Sequence, residues 1–389
     1  MDNNGSVTFS GNTASYEGGA ILTYGSLLFR NNDSVLFEKN VVKSNSSYRL
    51  HSIHAGSYGQ VISLSAAAGK SIEFRDSAYI GLNSIFNLNA DYIYQAKDGK
   101  YVTTKQQGDI IFTGKYAETH LNEILAADEQ SRTATADEIL NSRTTKVYAM
   151  TNLYGGRLRV EDGAIYQGMG ITAHEGSEAT VRVKDATLSH VGYDLEFNAG
   201  TALEVAGEST IRGNVNLLEN SLFKLEKAAS LSLHETLSAD AATLTVNGTA
   251  MLEGNSTLNA NLTLAIGATL DMDALDAGAV TLNGALTFAG QVTMGDKLLS
   301  IIDEMSGLEE SVTLFTGLTE LVLPAVAADE ASDRVRVGDV FINLAGNEQY
   351  YLNYVPEVGS LTVVHIPEPC TCTLSLLALA GLCARRRRK

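Results

Sequence analysis

Hydrophobic residues in this chain fall at alternate positions in short bursts. Ser6-Val7-Thr8-Phe9 and Ser26-Leu27-Leu28-Phe29 open the pattern. It returns more cleanly at Leu158-Arg159-Val160, Val181-Arg182-Val183, Leu203-Glu204-Val205, Leu231-Ser232-Leu233, Leu244-Thr245-Val246, Leu262-Thr263-Leu264 and Leu286-Thr287-Phe288. A period of two is that of a strand with one buried face. Glycines such as Gly163, Gly200, Gly207, Gly248, Gly267 and Gly284 stand between the bursts, so the strands are short and end in turns. Short strands at close, irregular spacing suit a solenoid, whose coils pair with neighbours above and below, better than a sandwich.

The alternation breaks between Lys115 and Lys146. Leu121, Ile124 and Leu125 stand there at helical spacing, Ile139-Leu140 follow, and Glu, Ala, Asp and Thr dominate. This predicts one or two short helices on an acidic, exposed insertion, either a loop carrying a binding surface or a solvated linker. Strand text resumes afterwards and ends in a hairpin, Tyr350-Tyr351-Leu352 and Leu361-Thr362-Val363-Val364, with Pro356 and Gly359 in its turn. That hairpin is expected to close the solenoid and cover its strand edges. The predicted organisation is therefore residues 1–115 as β-helix repeats, 116–146 as the insertion or linker, 147–297 as β-helix, 298–365 as a C-terminal β cap and 366–389 as a tail. The fold class is all-β: a right-handed parallel β-helix (solenoid) with a short helical insertion and a single membrane-directed helix at the C-terminus.

Composition narrows the function. With 44% hydrophobic residues the 389-residue chain supports a sizeable core, and a net charge of −17 argues against gripping nucleic-acid phosphates. Cys370, Cys372 and Cys383 all lie near the C-terminus, so the remainder holds neither a disulfide framework nor a thiolate zinc site.

Phe9-Ser10-Gly11-Asn12, Phe29-Arg30-Asn31-Asn32, Phe37-Glu38-Lys39-Asn40 and Phe86-Asn87-Leu88-Asn89 repeat a phenylalanine followed three residues later by asparagine, and Gly18-Gly19-Ala20-Ile21 lies between the first two. A β-helix coil needs an inward aromatic in its strand, then an Asn or Gly able to take a left-handed turn at small steric cost. Stacked coils also let like side chains form ladders. These units resemble the repeats of the polymorphic outer-membrane proteins, β-helical autotransporter passengers associated with adhesion. The resemblance implies an adhesin-like surface role, with host or extracellular glycans or proteins as partners. That family ends in a transmembrane β-barrel, whereas this sequence ends otherwise, so export by a different route is expected.

The C-terminus reads Ile366-Pro367-Glu368-Pro369, an almost uncharged run from Cys370 to Ala384, then Arg385-Arg386-Arg387-Arg388-Lys389. As a helix the run spans roughly 22 Å, short of the ~30 Å hydrocarbon core, and crosses only with snorkelling arginines and local thinning. The basic cluster would stay on the cytoplasmic side. The tail resembles the PEP-CTERM sorting signals of Gram-negative bacteria. That resemblance implies an exosortase-like membrane enzyme acting at Pro367, Glu368 and Pro369, retention by Arg385, Arg386, Arg387, Arg388 and Lys389, and delivery to the cell envelope or surface. The run is shorter than that family's usual helix and carries Thr371, Thr373 and Ser375. Met1-Asp2-Asn3-Asn4-Gly5-Ser6 has no basic or apolar leader, so an N-terminal part including a signal peptide is expected to be missing.

Catalytic signatures are sparse. His51-Ser52-Ile53-His54 lacks zincin spacing and reads as two loop histidines. Gly168-Met169-Gly170-Ile171-Thr172-Ala173 matches a dinucleotide GxGxxA but no helix follows, so it reads as turns. No cofactor is called for. The expectation is a non-enzymatic protein; the alternative is a β-helical polysaccharide lyase or glycosidase, with Asp271, Asp273 and Asp276 as the nearest carboxylate group.

Overall fold

The computed structural model describes residues 5–365 except 45–46, 57–58, 96–99, 236–240, 306–310, 325–334 and 345–349, with side chains at 31–32, 91–95 and 100–104 also left aside. The proposed tail residues, Pro367, Glu368, Pro369 and Arg385 to Lys389, lie outside the described residues, as does the membrane-directed helix. Among the described residues no helix is long and apolar enough to cross a membrane.

Alternating bursts become strands that return into register one coil later. Thr180–Lys184 pairs in parallel with Ala202–Ala206, Thr187–His190 with Glu208–Arg212, and Leu195–Phe197 with Val215–Leu217. Three strands thus form one turn of a solenoid, and the next turn stacks directly above it. Side chains at alternate positions point inward and are buried: Val183, Val205, Leu225, Leu252 and Met272 occupy one rung position in successive coils. Polar residues predominate at the outer positions. Arg182 reaches along the stack to Glu204 at 3.0 Å and Glu226 at 2.6 Å.

The early coils depart from the short strands expected of them. Leu27–Glu38 and Val61–Phe74 each run unbroken round a corner of the coil, and Leu27–Glu38 bends through register shifts on both sides of Asn32. A bulge turns the corner here where a glycine turn does so later. Across these coils Phe9, Phe37, Phe74 and Phe112 share one rung position. Their rings stack at 4.7, 4.7 and 4.8 Å with interplanar angles of 4°, 4° and 12°. The spacing is that of neighbouring strands, so the backbone ladder sets the ring separation.

Two helices form within the acidic stretch, α1 (Ala117–Ala127) and α2 (Ala136–Ser142), the second opened by a capping box between Thr135 and Glu138. Much of residues 126–141 is exposed, but one face of each helix packs on the β structure. Ala117, Leu121 and Leu125 pack with Val41, Tyr48 and Leu50 in a small second core. Glu138 accepts the Tyr48 N–H at 2.8 Å, and Ser142 accepts the Leu50 N–H at 2.9 Å. The helices therefore satisfy the open edge of the hairpin formed by Val41–Ser44 and Ser47–Ala55. At the far end, α3 (Asp296–Asp303) buries Leu298 and Ile302. There Tyr350–Val355 and Ser360–His365 form an antiparallel hairpin that pairs with Ser311–Thr316.

Candidate binding cleft

The repeat residues meet in the interior. Phe29 contacts the edges of the Phe9 and Phe37 rings at 6.2 and 5.9 Å. The asparagines act differently from expectation. The left-handed conformation belongs to the residue before each, Gly11 (φ 69°) and Lys39 (φ 57°), and the asparagine side chain bonds along the stack. Asn12 Nδ2 donates to Asn40 Oδ1 at 2.7 Å, and Asn40 Nδ2 donates to Phe9 O at 2.9 Å and Asp76 Oδ2 at 2.8 Å. Of the four units, Asn89 (φ 55°) takes the turn conformation itself, while Asn32 pairs within a strand opposite Ala66. Gly18 (φ 62°) turns the chain so that Gly19 lies against the Asn40 rung, where a Cβ would sit 2.5 Å from His51 O and 2.8 Å from Val41 N.

Asp76 ends that rung. It is buried, its Oδ1 has no partner among the described residues, and burial pushes its carboxyl up to about 7.

Beside this rung the outer face holds a cleft of about 480 Å³, within the roughly 300–1,000 Å³ of small-molecule sites. It is built on Ser47–Ala55, which is a strand and not the loop expected for His51 and His54. His51 pairs with Ser77 and Ile53 with Ala78, so Ser52 is an extra residue. That bulge lets Arg49, His51 and His54 line one face while Ile53 enters the core. His51 and His54 are almost wholly buried, and burial holds both imidazoles below their usual range, His51 at about 3. They are neutral at pH 7. The His54 ring stacks on Tyr79, one coil on, at 4.4 Å and 5°, and its Nε2 lies 3.0 Å from Glu17. Tyr148 follows at 5.6 Å from Tyr79, with Lys146 in register beside Tyr79 and Tyr24 on the opposite rim. Among the described residues no group of three His, Cys, Asp or Glu side chains is placed to hold a metal.

The other sequence candidates lie on later coils. Asp271 Oδ1 accepts the N–H groups of Met272, Lys297 and Leu298 at 3.0, 3.1 and 3.0 Å, which caps the N-terminus of α3 from the neighbouring coil. Asp273 pairs with Lys297, which holds its carboxyl below the usual range. Asp276 stands in the 3-10 turn Leu275–Ala277 and lines, with Asp273 and Glu304, a surface cavity of about 680 Å³. Gly168 to Ala173 belong to the strand Ile165–Ala173, so the GxGxxA match is neither a phosphate loop nor the turns expected. The sequence signal overlooked was His-x-x-His on a strand: the period of two would separate those residues unless a bulge intervened.

Stacked coils of parallel strands, followed by an antiparallel hairpin, define a β-solenoid of the parallel β-helix class. The chain is 29% identical over 250 residues to a Chlamydia pneumoniae protein described as "Probable outer membrane protein pmp13". The match takes in 57% of this chain and 23% of that protein. No family model matches the chain, and no solved structure does.

Proposed function

We propose that this chain is the solenoid of an exported, non-enzymatic bacterial surface or matrix protein with an adhesin-like role. The observation that carries the reading is the join between Phe-x-x-Asn and Gly-Gly-Ala-Ile: the glycine pair fits against the asparagine rung, so the two motifs form one structural unit. Similarity to a protein described as an outer membrane protein supports a place at the cell envelope. A stack that exposes long polar faces and is closed by its own hairpin suits presentation outside the cell. Of the carboxylates on which a polysaccharide-degrading reading would rest, Asp271, Asp273 and Asp276, the first two are engaged by α3 and Lys297.

In this reading the tail sorts the protein. An exosortase-like enzyme acts at Pro367, Glu368 and Pro369 while the apolar run and Arg385 to Lys389 hold the chain in the inner membrane. The test supplies the chain with a signal peptide in a Gram-negative host and follows tail cleavage and protease accessibility on intact cells. Glu368→Ala and deletion of 385–389 are expected to leave the protein unprocessed and inaccessible. Unchanged display of both variants would overturn the sorting, and an inaccessible parent chain would overturn the surface role.

A further inference from the structure

The cleft over Ser47–Ala55 stands out electrostatically. The protein is acidic, and several of its half-buried arginines are neutralised by carboxylates: Arg75 by Glu38 and Glu73, Arg159 by Asp109 and Glu161, Arg182 by Glu204 and Glu226. Arg49 is different. Its Nε is buried without a hydrogen-bond partner, and among the described residues it joins no ion pair. Glu17, the carboxylate whose charge reaches it, is held instead at His54 Nε2. Lys146, which also lines the cleft, likewise joins no ion pair among the described residues. Two cations and one carboxylate, Glu17, thus face one cavity, which leaves its lining net positive in a chain with carboxylates in excess. A half-buried guanidinium lacking its acceptors carries a desolvation cost that an incoming anion would relieve.

The remaining lining defines what carries the anion. Tyr24 and Tyr148 are 64% and 41% exposed, His54 and Tyr79 present a stacked pair, and Leu82 is the one aliphatic side chain in the wall. Such a surface offers flat amphipathic rings and polar atoms and little apolar depth, which disfavours a greasy peptide anchor. It suits rings with one apolar face and hydroxyl edges. Leu22, His54, Tyr79 and Lys146 occupy one register position in four successive coils, so the strip extends about 14 Å along the solenoid axis. A short chain of sugar rings lies along a strip of that shape.

We propose that this cleft binds an acidic saccharide, with Arg49 and Lys146 taking its carboxylate or sulfate and the tyrosines at 24 and 148 taking its ring faces. The inference deepens the adhesin-like reading and rests on it. The test is calorimetric titration of the full chain, with Arg385, Arg386, Arg387, Arg388 and Lys389 changed to glutamine so that the basic tail supplies no affinity. The probes are a hyaluronan octasaccharide, a heparin-derived octasaccharide and a dextran oligosaccharide of similar length. Binding of at least one acidic probe but not dextran is expected, weakened tenfold or more by Arg49→Gln and by Lys146→Gln. Which acidic probe binds separates carboxylate from sulfate recognition. Tyr148→Ala, at a partly exposed ring, is expected to weaken binding without lowering the melting temperature, which covers the case in which Arg49→Gln misfolds. Lys184→Gln, outside the cleft, is expected to leave binding unchanged. Absence of binding to both acidic probes, equal binding of dextran, or acidic binding indifferent to the cleft variants would overturn the inference. Protease accessibility on cells is read separately, so a failed titration of a displayed chain removes the ligand and leaves the surface role standing.

Discussion

Asn40 donates both its backbone N–H, at 3.0 Å, and its side-chain amide, at 2.8 Å, to one carboxylate oxygen of Asp76 in the next coil. Those donors favour the ionised form, yet burial outweighs them and raises the carboxyl to about 7. The folded pKa lies above the unfolded value near 3.8, so between those values the unfolded chain ionises while the folded chain keeps its proton. Stability contributed at this site is therefore greatest below pH 4 and falls as pH rises to 7. Asp76→Asn keeps an acceptor for Asn40 and removes the titration. Urea unfolding from pH 4 to pH 7.5 is expected to show the variant losing less stability than the parent, by on the order of a few kcal/mol. Parallel profiles would show that Asp76 titrates normally.

Gly19 makes the contact that joins the two repeat motifs. The atoms a Cβ would meet, His51 O at 2.5 Å and Val41 N at 2.8 Å, belong to the backbone and cannot rotate away. Gly19→Ala is expected to destabilise the protein by about 1–3 kcal/mol through overpacking. Gly25, whose nearest neighbour would be Thr23 Oγ1 at 3.9 Å, has room for a methyl group. Gly25→Ala is expected to be near neutral, and thermal melting of both variants beside the parent checks the contrast.

The phenylalanine ladder is graded by position. Phe37 is fully buried between Phe9 and Phe74, whereas Phe9 is only partly buried. Phe37→Ala is expected to cost about 3–5 kcal/mol. Phe9→Ala should cost clearly less, because less of its surface is removed from water. Equal losses in denaturant titration would show that the ladder acts as one cooperative unit.

What the sequence disclosed follows from which interactions are local. Leu203-Glu204-Val205 reveals its inward side chains because alternation is a property of neighbouring residues. The stacking of Phe9 on Phe37 was foreseeable as a class of contact, since both open the same repeat unit. Phe74 and Phe112 carry no such unit and join the ladder only through register. The cleft was hidden for the same reason. Arg49, Tyr79 and Lys146 come from different coils, and the bulge at Ser52 that brings His54 to their face has no glycine or proline to mark it. Asn40 shows the other limit: its residue type was informative, but the preference for left-handed turns competed with its capacity to bond side chain to side chain, and the stack favoured bonding.

Asp271 distinguishes a capping carboxylate from a catalytic one. Its Oδ1 accepts three N–H groups, two of them from the first turn of α3, a helix whose own N-cap, Gly295, offers no side chain. Asp271→Ala removes those acceptors and is expected to destabilise the chain by about 1–2 kcal/mol. Amide exchange should rise first in Asp296–Asp303, the helix that loses its cap. Asp273→Asn loses an exposed pairing with Lys297 and should change stability by less than about 1 kcal/mol. A catalytic pair would behave in the opposite way: both variants would keep their stability and abolish release of reducing ends or unsaturated products from polysaccharide. Purified parent and variant proteins assayed for both properties decide the matter. Saccharide cleavage by the parent that both substitutions abolish would overturn the capping role and restore an enzymatic one.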